Sequence, residues 1–401
     1  MPTLNKHSKV KVSVSVQPDG DEYTIGDPIT GRFIRVPAEA IQIIDLLDGE
    51  RSIIDIYTFL KEEKELDLDV LDFVKTLNKV GLVERIDDQN INVIDYSGKQ
   101  NEKIVLAGKM LFNPYTNYIY IACFLGSVVI MLSQKDLFPV YRDIFIFDYV
   151  GLSILLFFII SWVMTFFHEL AHYLAAYKEG IHTRFRLSLR LFWLVAEADM
   201  TGLWSAPTKK RYLPYLAGMA WDSLFLFIGL MIQIVNISPF INRLGALLSL
   251  ILLFRMAWQF LIFLRTDIYY VLANRLSTTN LHHSANTAIL YRFNKSKKIE
   301  WSTFNEREKR YAKRLGILYL FGYLMACILF LGYQLPGALV ACFRSITQII
   351  ESSLLTFNFY DGLITLLVIS VDIILWGIGA LTKYKRRGKD IYAQADTPGT
   401  S

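Results

Sequence analysis

Residues 150–167 read VGLSILLFFIISWVMTFF, with no ionisable side chain, and the five residues that follow are His168, Glu169, Leu170, Ala171 and His172. A run this long and apolar is restricted to a membrane-crossing helix, because in lipid each backbone N–H and C=O has to be paired within the segment. Two imidazoles and a carboxylate at the end of such a helix are costly to bury, and residues kept there against that cost are as a rule functional. Positions i and i+4 share one face of a helix, so both imidazoles reach a single ion, with Glu169 beside them. This is the H-E-x-x-H pattern, in which two histidines hold zinc and the glutamate acts on water at the metal.

The rest of the chain suits that setting. Over 401 residues, 53% hydrophobic content and a mean hydropathy of +0.34 are too apolar for a soluble domain and indicate a multi-span α-helical membrane protein. The net charge of +5 comes from basic residues beside apolar segments, where positive-inside topology accounts for them, so nucleic acid is not an expected partner and a lipid bilayer is. Cys123, Cys327 and Cys342 are far apart in or near apolar stretches and read as small buried hydrophobes, not as a disulfide framework or a cysteine zinc site. The polar N-terminus has no signal-peptide pattern, which keeps the first segment on the side of synthesis.

Residues 1–88 read as a small soluble domain. Val10, Val12, Val14 and Val16 alternate as in a half-exposed strand, Asp19-Gly20 closes a hairpin onto residues 22–25, and Thr30-Gly31 closes a second onto 33–36. A helical pattern over Ala40, Ile41, Ile44 and Leu47 stops at Asp48-Gly49 as at a glycine C-cap. Ser52 caps a second helix over 53–60, and Asp67 or Asp69 a third, which runs through Leu71, Val74, Leu77 and Val80 to Gly81. Residues 82–84 make a closing strand. Residues 89–115 are polar, with Ser97-Gly98 and Asn113-Pro114 as breakers, and form a linker.

Membrane spans are expected at 118–132, 149–177, 213–235, 244–264, 315–333 and 363–381, with 335–355 as an interfacial helix and 383–401 as a polar tail. Between the second and third spans, residues 184–195 begin with a period of two, which is a strand signal or an amphipathic interface element. A six-span count with the N-terminus inside puts the basic clusters at 209–211, after Asp267 and at 383–387 on the cytoplasmic side. It predicts a multi-pass plasma-membrane protein with both termini cytoplasmic and with His168, His172 and Asp267 at similar depth.

Zinc needs a third protein ligand. Asp267 is the first candidate, as a carboxylate at the end of an apolar helix, and Asp222 the runner-up; His182, His282 and His283 sit in polar connections and are weaker candidates.

Two resemblances sharpen this reading. The order of elements in residues 1–88, with Leu46-Leu47-Asp48-Gly49, resembles the PqqD-like winged-helix module that recognises ribosomally made, modified peptides. The resemblance implies that a peptide leader adds as an extra strand near Tyr23, Thr24 and Ile25 and packs on the third helix. A winged helix that contacts another protein or DNA is the alternative. Residues 162–274, with His168-Glu169-Leu170-Ala171-His172 and the distal Thr266-Asp267-Ile268-Tyr269-Tyr270, resemble the site-2 protease class of intramembrane metalloproteases. That resemblance implies one zinc held by His168, His172 and Asp267, Glu169 as catalytic base, and a substrate-binding strand edge at Arg184, Phe185, Arg186 and Leu187. Ile268 stands where the family often has glycine. Asp222 stands where it often has asparagine, which leaves the oxyanion stabiliser unassigned.

Together these imply a recognition domain at 1–88 and a membrane metalloprotease domain at 116–382, with about six transmembrane helices and a short β insertion. The expected function is zinc-dependent removal of the leader from a ribosomally synthesised, modified precursor peptide, as in bacteriocin biosynthesis, with an exporter or a modifying enzyme as further partners. Regulated proteolysis of a membrane-anchored signalling protein and a non-catalytic peptide-binding scaffold or immunity component are the alternatives.

Overall fold

The computed structural model describes residues 4–20, 22–28, 30–91, 101–181, 183–190, 193–276, 281–304 and 306–395. They fall into two compact units. The first comprises Met1–Leu111, Tyr173–Arg184 and Asp199–Pro214, and the second the remainder.

The first unit opens with β1 (Lys9–Lys11), β2 (Ser15–Asp19), β3 (Glu22–Asp27) and β4 (Arg32–Val36), followed by α1 (Ala38–Ile44), β5 (Asp48–Ser52), α2 (Ile53–Glu63) and α3 (Val70–Val80). Then come β6 (Arg85–Ile86), β7 (Gln89–Asn90) and α4 (Glu102–Leu111), the last lying in the expected linker. One four-stranded sheet has the order β5-β1-β6-β7, and a meander has the order β2-β3-β4. The local signals hold where they are chemical. Ser52 and Asp55 form a capping box at α2, Asp69 accepts the Asp72 N–H at α3, and Gly81 ends α3 in the left-handed region. Val10, Ile25, Ile56, Leu60, Val74, Leu77, Leu82 and Ile86 form a shared core.

Three local expectations change. The strand expected over 10–16 is two strands in two different sheets. Helix α1 stops at Ile44, and Asp48-Gly49 opens β5, where Gly49 takes a positive φ of 88° with a Cβ position 3.1 Å from the Lys11 Cβ, so that glycine serves close strand approach rather than a helix cap. The closing strand falls on Arg85–Ile86 rather than on 82–84.

The expected edge at Tyr23, Thr24 and Ile25 is also corrected. These residues lie in the central strand: Thr24 faces Gln17 on one side and Arg35 on the other, and Ile25 faces Val16 and Ile34. Their backbone groups belong to ladders on both sides, and the Thr24 and Ile25 side chains are buried. The outer strands of this sheet are β2 and β4.

The second unit is helical. It takes in α5 (Pro114–Ser133), most of α6 (Val150–Lys178), the hairpin β8 (Arg184–Arg190) and β9 (Trp193–Asp199) apart from its two end residues, Arg184 and Asp199, α7 (Thr208–Val235) from Tyr215 onward, and α8 (Pro239–Trp258). Shorter α9 (Asp267–Leu276), α10 (Leu281–Leu290) and α11 (Lys295–Thr303) follow, then α12 (Glu306–Leu329), a π turn over Phe330–Gln334, α13 (Leu335–Glu351) and α14 (Phe357–Ala395). The spans begin where the chemistry sets them: Asn113 caps α5 ahead of Pro114, and Ser238 caps α8 ahead of Pro239.

Five helical stretches are long and apolar enough to cross a bilayer: α5, α6, α7, α8 and the run Lys309–Glu351. The sixth expected span falls in α14, whose described apolar part, Phe357–Val371, is shorter. The chain is a multi-span membrane protein. The interfacial helix expected at 335–355 is α13, joined to α12 through the π turn; the run Lys309–Glu351 has 43 residues, about twice the number that one crossing of the hydrocarbon needs. The start of α6 is held by a residue far away in sequence. The buried Asp361 carboxylate of α14 accepts the Gly151 N–H at 2.9 Å and the Leu152 N–H at 2.8 Å, which satisfies donors that a helix N-terminus leaves open.

Candidate metal centre

Helix α6 presents His168 and His172 on one face, both buried, with Nε2 atoms 3.1 Å apart. The Oδ2 atom of Asp267 lies 3.2 Å from each of those nitrogens. Glu169 adds a carboxylate within 4.8 Å of the imidazole donors, and His168, Glu169 and His172 form a compact, largely buried cluster able to coordinate a metal ion.

The donor set fits zinc. Tetrahedral zinc with bonds of 2.0–2.1 Å separates its ligand atoms by about 3.3 Å, close to the three edges of the His168, His172 and Asp267 triangle. Space beside the triangle is kept by Gly218 of α7: a Cβ there would sit 2.5 Å from Nε2 of both histidines. Any side chain at this position would occupy the ground in front of the two nitrogens. A glycine inside an apolar helix costs up to ~1 kcal/mol relative to alanine, and here it leaves the donors clear.

Asp222 follows Gly218 by one turn of α7 and is 1% exposed. Its Oδ2 is 2.8 Å from Nδ1 of His168, the ring nitrogen turned away from the triangle. A carboxylate there fixes the tautomer with the proton on Nδ1 and leaves the Nε2 lone pair for a metal. The structure thus places Asp222 behind His168, on the side of the ring away from the donor triangle. Behind it stands Arg255 of α8, whose Nε is 3.9 Å from Asp222 Oδ1. Its Nη2 donates to the Ser161 carbonyl at 3.2 Å and to Thr165 Oγ1 at 2.7 Å, both on α6. Sequence reasoning missed Arg255, although an arginine in the apolar stretch LILLFRMAW is the kind of signal that marks a functional polar group in a membrane span.

Asp267 does not end the fourth span, as its position in the sequence suggests; it opens α9 after a corner. Helix α8 stops at Trp258, and Arg265 takes a positive φ of 58° to turn the chain. Gln259 closes the corner. Its backbone carbonyl accepts the Thr266 hydroxyl at 2.6 Å, and its side-chain Oε1 accepts the Asp267 N–H at 3.1 Å. Nothing in the local sequence singles out Gln259, because its role exists only once the corner has formed.

Glu169 is steadied by the β insertion. The Ala198 N–H, near the end of β9, donates to Glu169 Oε2 at 2.6 Å. The single strand expected over 184–195 is a two-stranded hairpin, in which Arg184, Phe185, Arg186 and Leu187 belong to β8, with Phe185 half-exposed. The weaker histidine candidates are engaged elsewhere: His282 Nδ1 is 2.9 Å from the Tyr319 hydroxyl and its Nε2 is 3.0 Å from Asn286, while His283 pairs with Glu300. His182 lies outside the described residues.

Comparisons with protein-family models, with curated proteins and with solved structures return no match, so the site stands on its own geometry.

Proposed function

We propose that this chain is a membrane-embedded zinc metallopeptidase, with His168, His172 and Asp267 as ligands and Glu169 as general base. The observation that carries the reading is the triangle of two Nε2 atoms and one Oδ2 with edges of 3.1, 3.2 and 3.2 Å, with a carboxylate beside it. Zinc in such a donor set polarises a scissile carbonyl and makes water nucleophilic near neutral pH. Glu169, with Oε2 tied to the Ala198 N–H, offers Oε1 to take the proton from the attacking water and pass it to the leaving amine. Asp222 and Arg255 keep His168 in the orientation and tautomer that ligation needs.

The substrate we propose is a ribosomally synthesised, modified precursor peptide, cut between leader and core. A peptide bond has to be extended to be attacked, and the hairpin β8–β9 offers strand edges that hold an extended segment. In the first unit, the outer strand β4 replaces Tyr23–Ile25 as the edge to which a leader adds, with helix α3 kept as the surface it packs on.

The test uses the purified full chain in detergent and a synthetic precursor peptide made of a leader followed by a modified core. Bound zinc at one per chain, with cleavage lost in Glu169→Gln while zinc is retained, supports the reading. A metal-free chain, or cleavage that survives the substitution, overturns it.

A further inference from the structure

Lys209, Lys210 and Arg211 read from sequence as a basic cluster at a membrane interface, but only part of it behaves so. Lys210 is mostly exposed and Arg211 is fully buried. The Arg211 Nε donates to the Ala206 carbonyl at 2.8 Å and Nη2 to the Trp204 carbonyl at 3.2 Å, and its guanidinium lies over the Trp204 ring, 5.0 Å from the centroid. The remaining arm, Nη1, donates to Oδ2 of Asp19 at 3.3 Å.

Asp19 is the last residue of β2 and is 1% exposed. The same Oδ2 accepts the Thr24 hydroxyl at 3.1 Å and lies 3.2 Å from Arg35 Nη2, while Oδ1 is buried without a hydrogen-bond partner. A carboxylate held this way depends on its cations, and removing one partner from a buried ion pair leaves an uncompensated charge. Close approach adds a second point of contact: a Cβ at Gly31, in the turn before β4, would stand 3.5 Å from the Thr201 side chain. The meander β2-β3-β4 therefore grips the connector over 201–211 at two places.

That connector begins where β9 ends. Ala198 donates its N–H to Glu169, and at the next residue the Asp199 carboxylate accepts the Thr201 N–H at 3.2 Å together with the Thr201 hydroxyl. Asp199 and Met200 alone separate the amide that steadies Glu169 from the first residue under the meander.

We propose that Asp19 and Arg211 form a clamp through which the N-terminal module positions the Ala198 amide, and with it Glu169. Arg211 is then a positioning residue that acts along the chain joining it to Ala198. Loosening of the meander releases the connector and frees the Glu169 carboxylate to turn. The inference rests on the reading of Glu169 as general base for its consequence only; the clamp itself is tested without metal or substrate.

The experiment is amide hydrogen exchange, read by mass spectrometry on the full chain in detergent, comparing peptides from the connector (196–206), α3 and α8. In Asp19→Asn, exchange across 196–206 is expected to rise by about tenfold or more while α3 and α8 keep their protection. The double variant Asp19→Arg, Arg211→Asp is expected to bring it back toward the parent rate. The proposal is overturned if exchange at 196–206 stays within about twofold of the parent. It is equally overturned if α3 loses protection to the same degree, since the pair would then serve the module's own fold. Neither result depends on whether zinc binds or a peptide is cut, so this inference and the proposed function fail separately.

Discussion

Asp222 Oδ2 and His168 Nδ1 stand 2.8 Å apart, on the side of the imidazole away from the donor triangle. The contact decides which ring nitrogen carries the proton, and so which one is free to ligate. Substitutions behind metal-ligating histidines cost about 10- to 100-fold in metal affinity. Asp222→Leu is therefore expected to weaken zinc binding by that order, and Asp222→Asn, which keeps an acceptor, by less. Competition against a chromophoric chelator measures both, and equal affinities for parent and Asp222→Leu would remove Asp222 from the site's support.

The space at Gly218 gives a second prediction. A methyl group 2.5 Å from both Nε2 atoms has to displace an imidazole or the helix that bears it. Gly218→Ala should lose nearly all bound zinc. Gly332, whose Cβ position has nothing within 4 Å, is the control. Its alanine variant should keep full zinc content and differ in stability by no more than about 1 kcal/mol. Metal analysis and thermal unfolding of the two proteins side by side make the check.

Chelation and substitution should separate ligand from base. EDTA treatment is expected to lower the unfolding temperature of the parent chain, and added zinc to restore it, since a ligand at 1,000 times its Kd stabilises by about 4 kcal/mol. Asp267→Ala should show no zinc-dependent shift, while Glu169→Gln should keep the shift and lose cleavage. A full shift in Asp267→Ala would transfer the third position to another donor.

The first unit has its own pH dependence. Hydrogen bonds from the Ser13 hydroxyl and from Lys11 Nζ, the latter at 2.9 Å, hold the Glu84 carboxyl below its usual 4.5. A carboxyl whose folded pKa is depressed adds stability at pH values above the unfolded pKa, and that contribution is lost as pH falls through the folded one. Amide protection of α3 should therefore drop on acidification below about pH 4.5, and Glu84→Gln should flatten the drop. An unchanged pH profile in the variant would show that other carboxylates govern it.

The sequence by itself determined what depends on neighbours along the chain. The apolar runs set the spans, because an 18-residue stretch without charge has one way to satisfy its backbone in lipid. The i, i+4 spacing set the two imidazoles on one face, and Ser52, Asp69 and Gly81 set helix ends through bonds that reach only a few residues. Tertiary structure alone decided which distant groups meet. Asp222 lies 54 residues from His168 and Asp267 lies 99, and no local pattern distinguishes the carboxylate behind the histidine from the one in front of it. The same holds for Gly218, Arg255 and Gln259 around the site, for the central placement of β3, and for Arg211, which resembles an interfacial cation until Asp19 is seen beside it. Periodicity fixes the face a helix turns inward, but the partner waiting there is fixed by packing, where the cost of a buried unpaired charge or a displaced ring selects one arrangement of helices over the others.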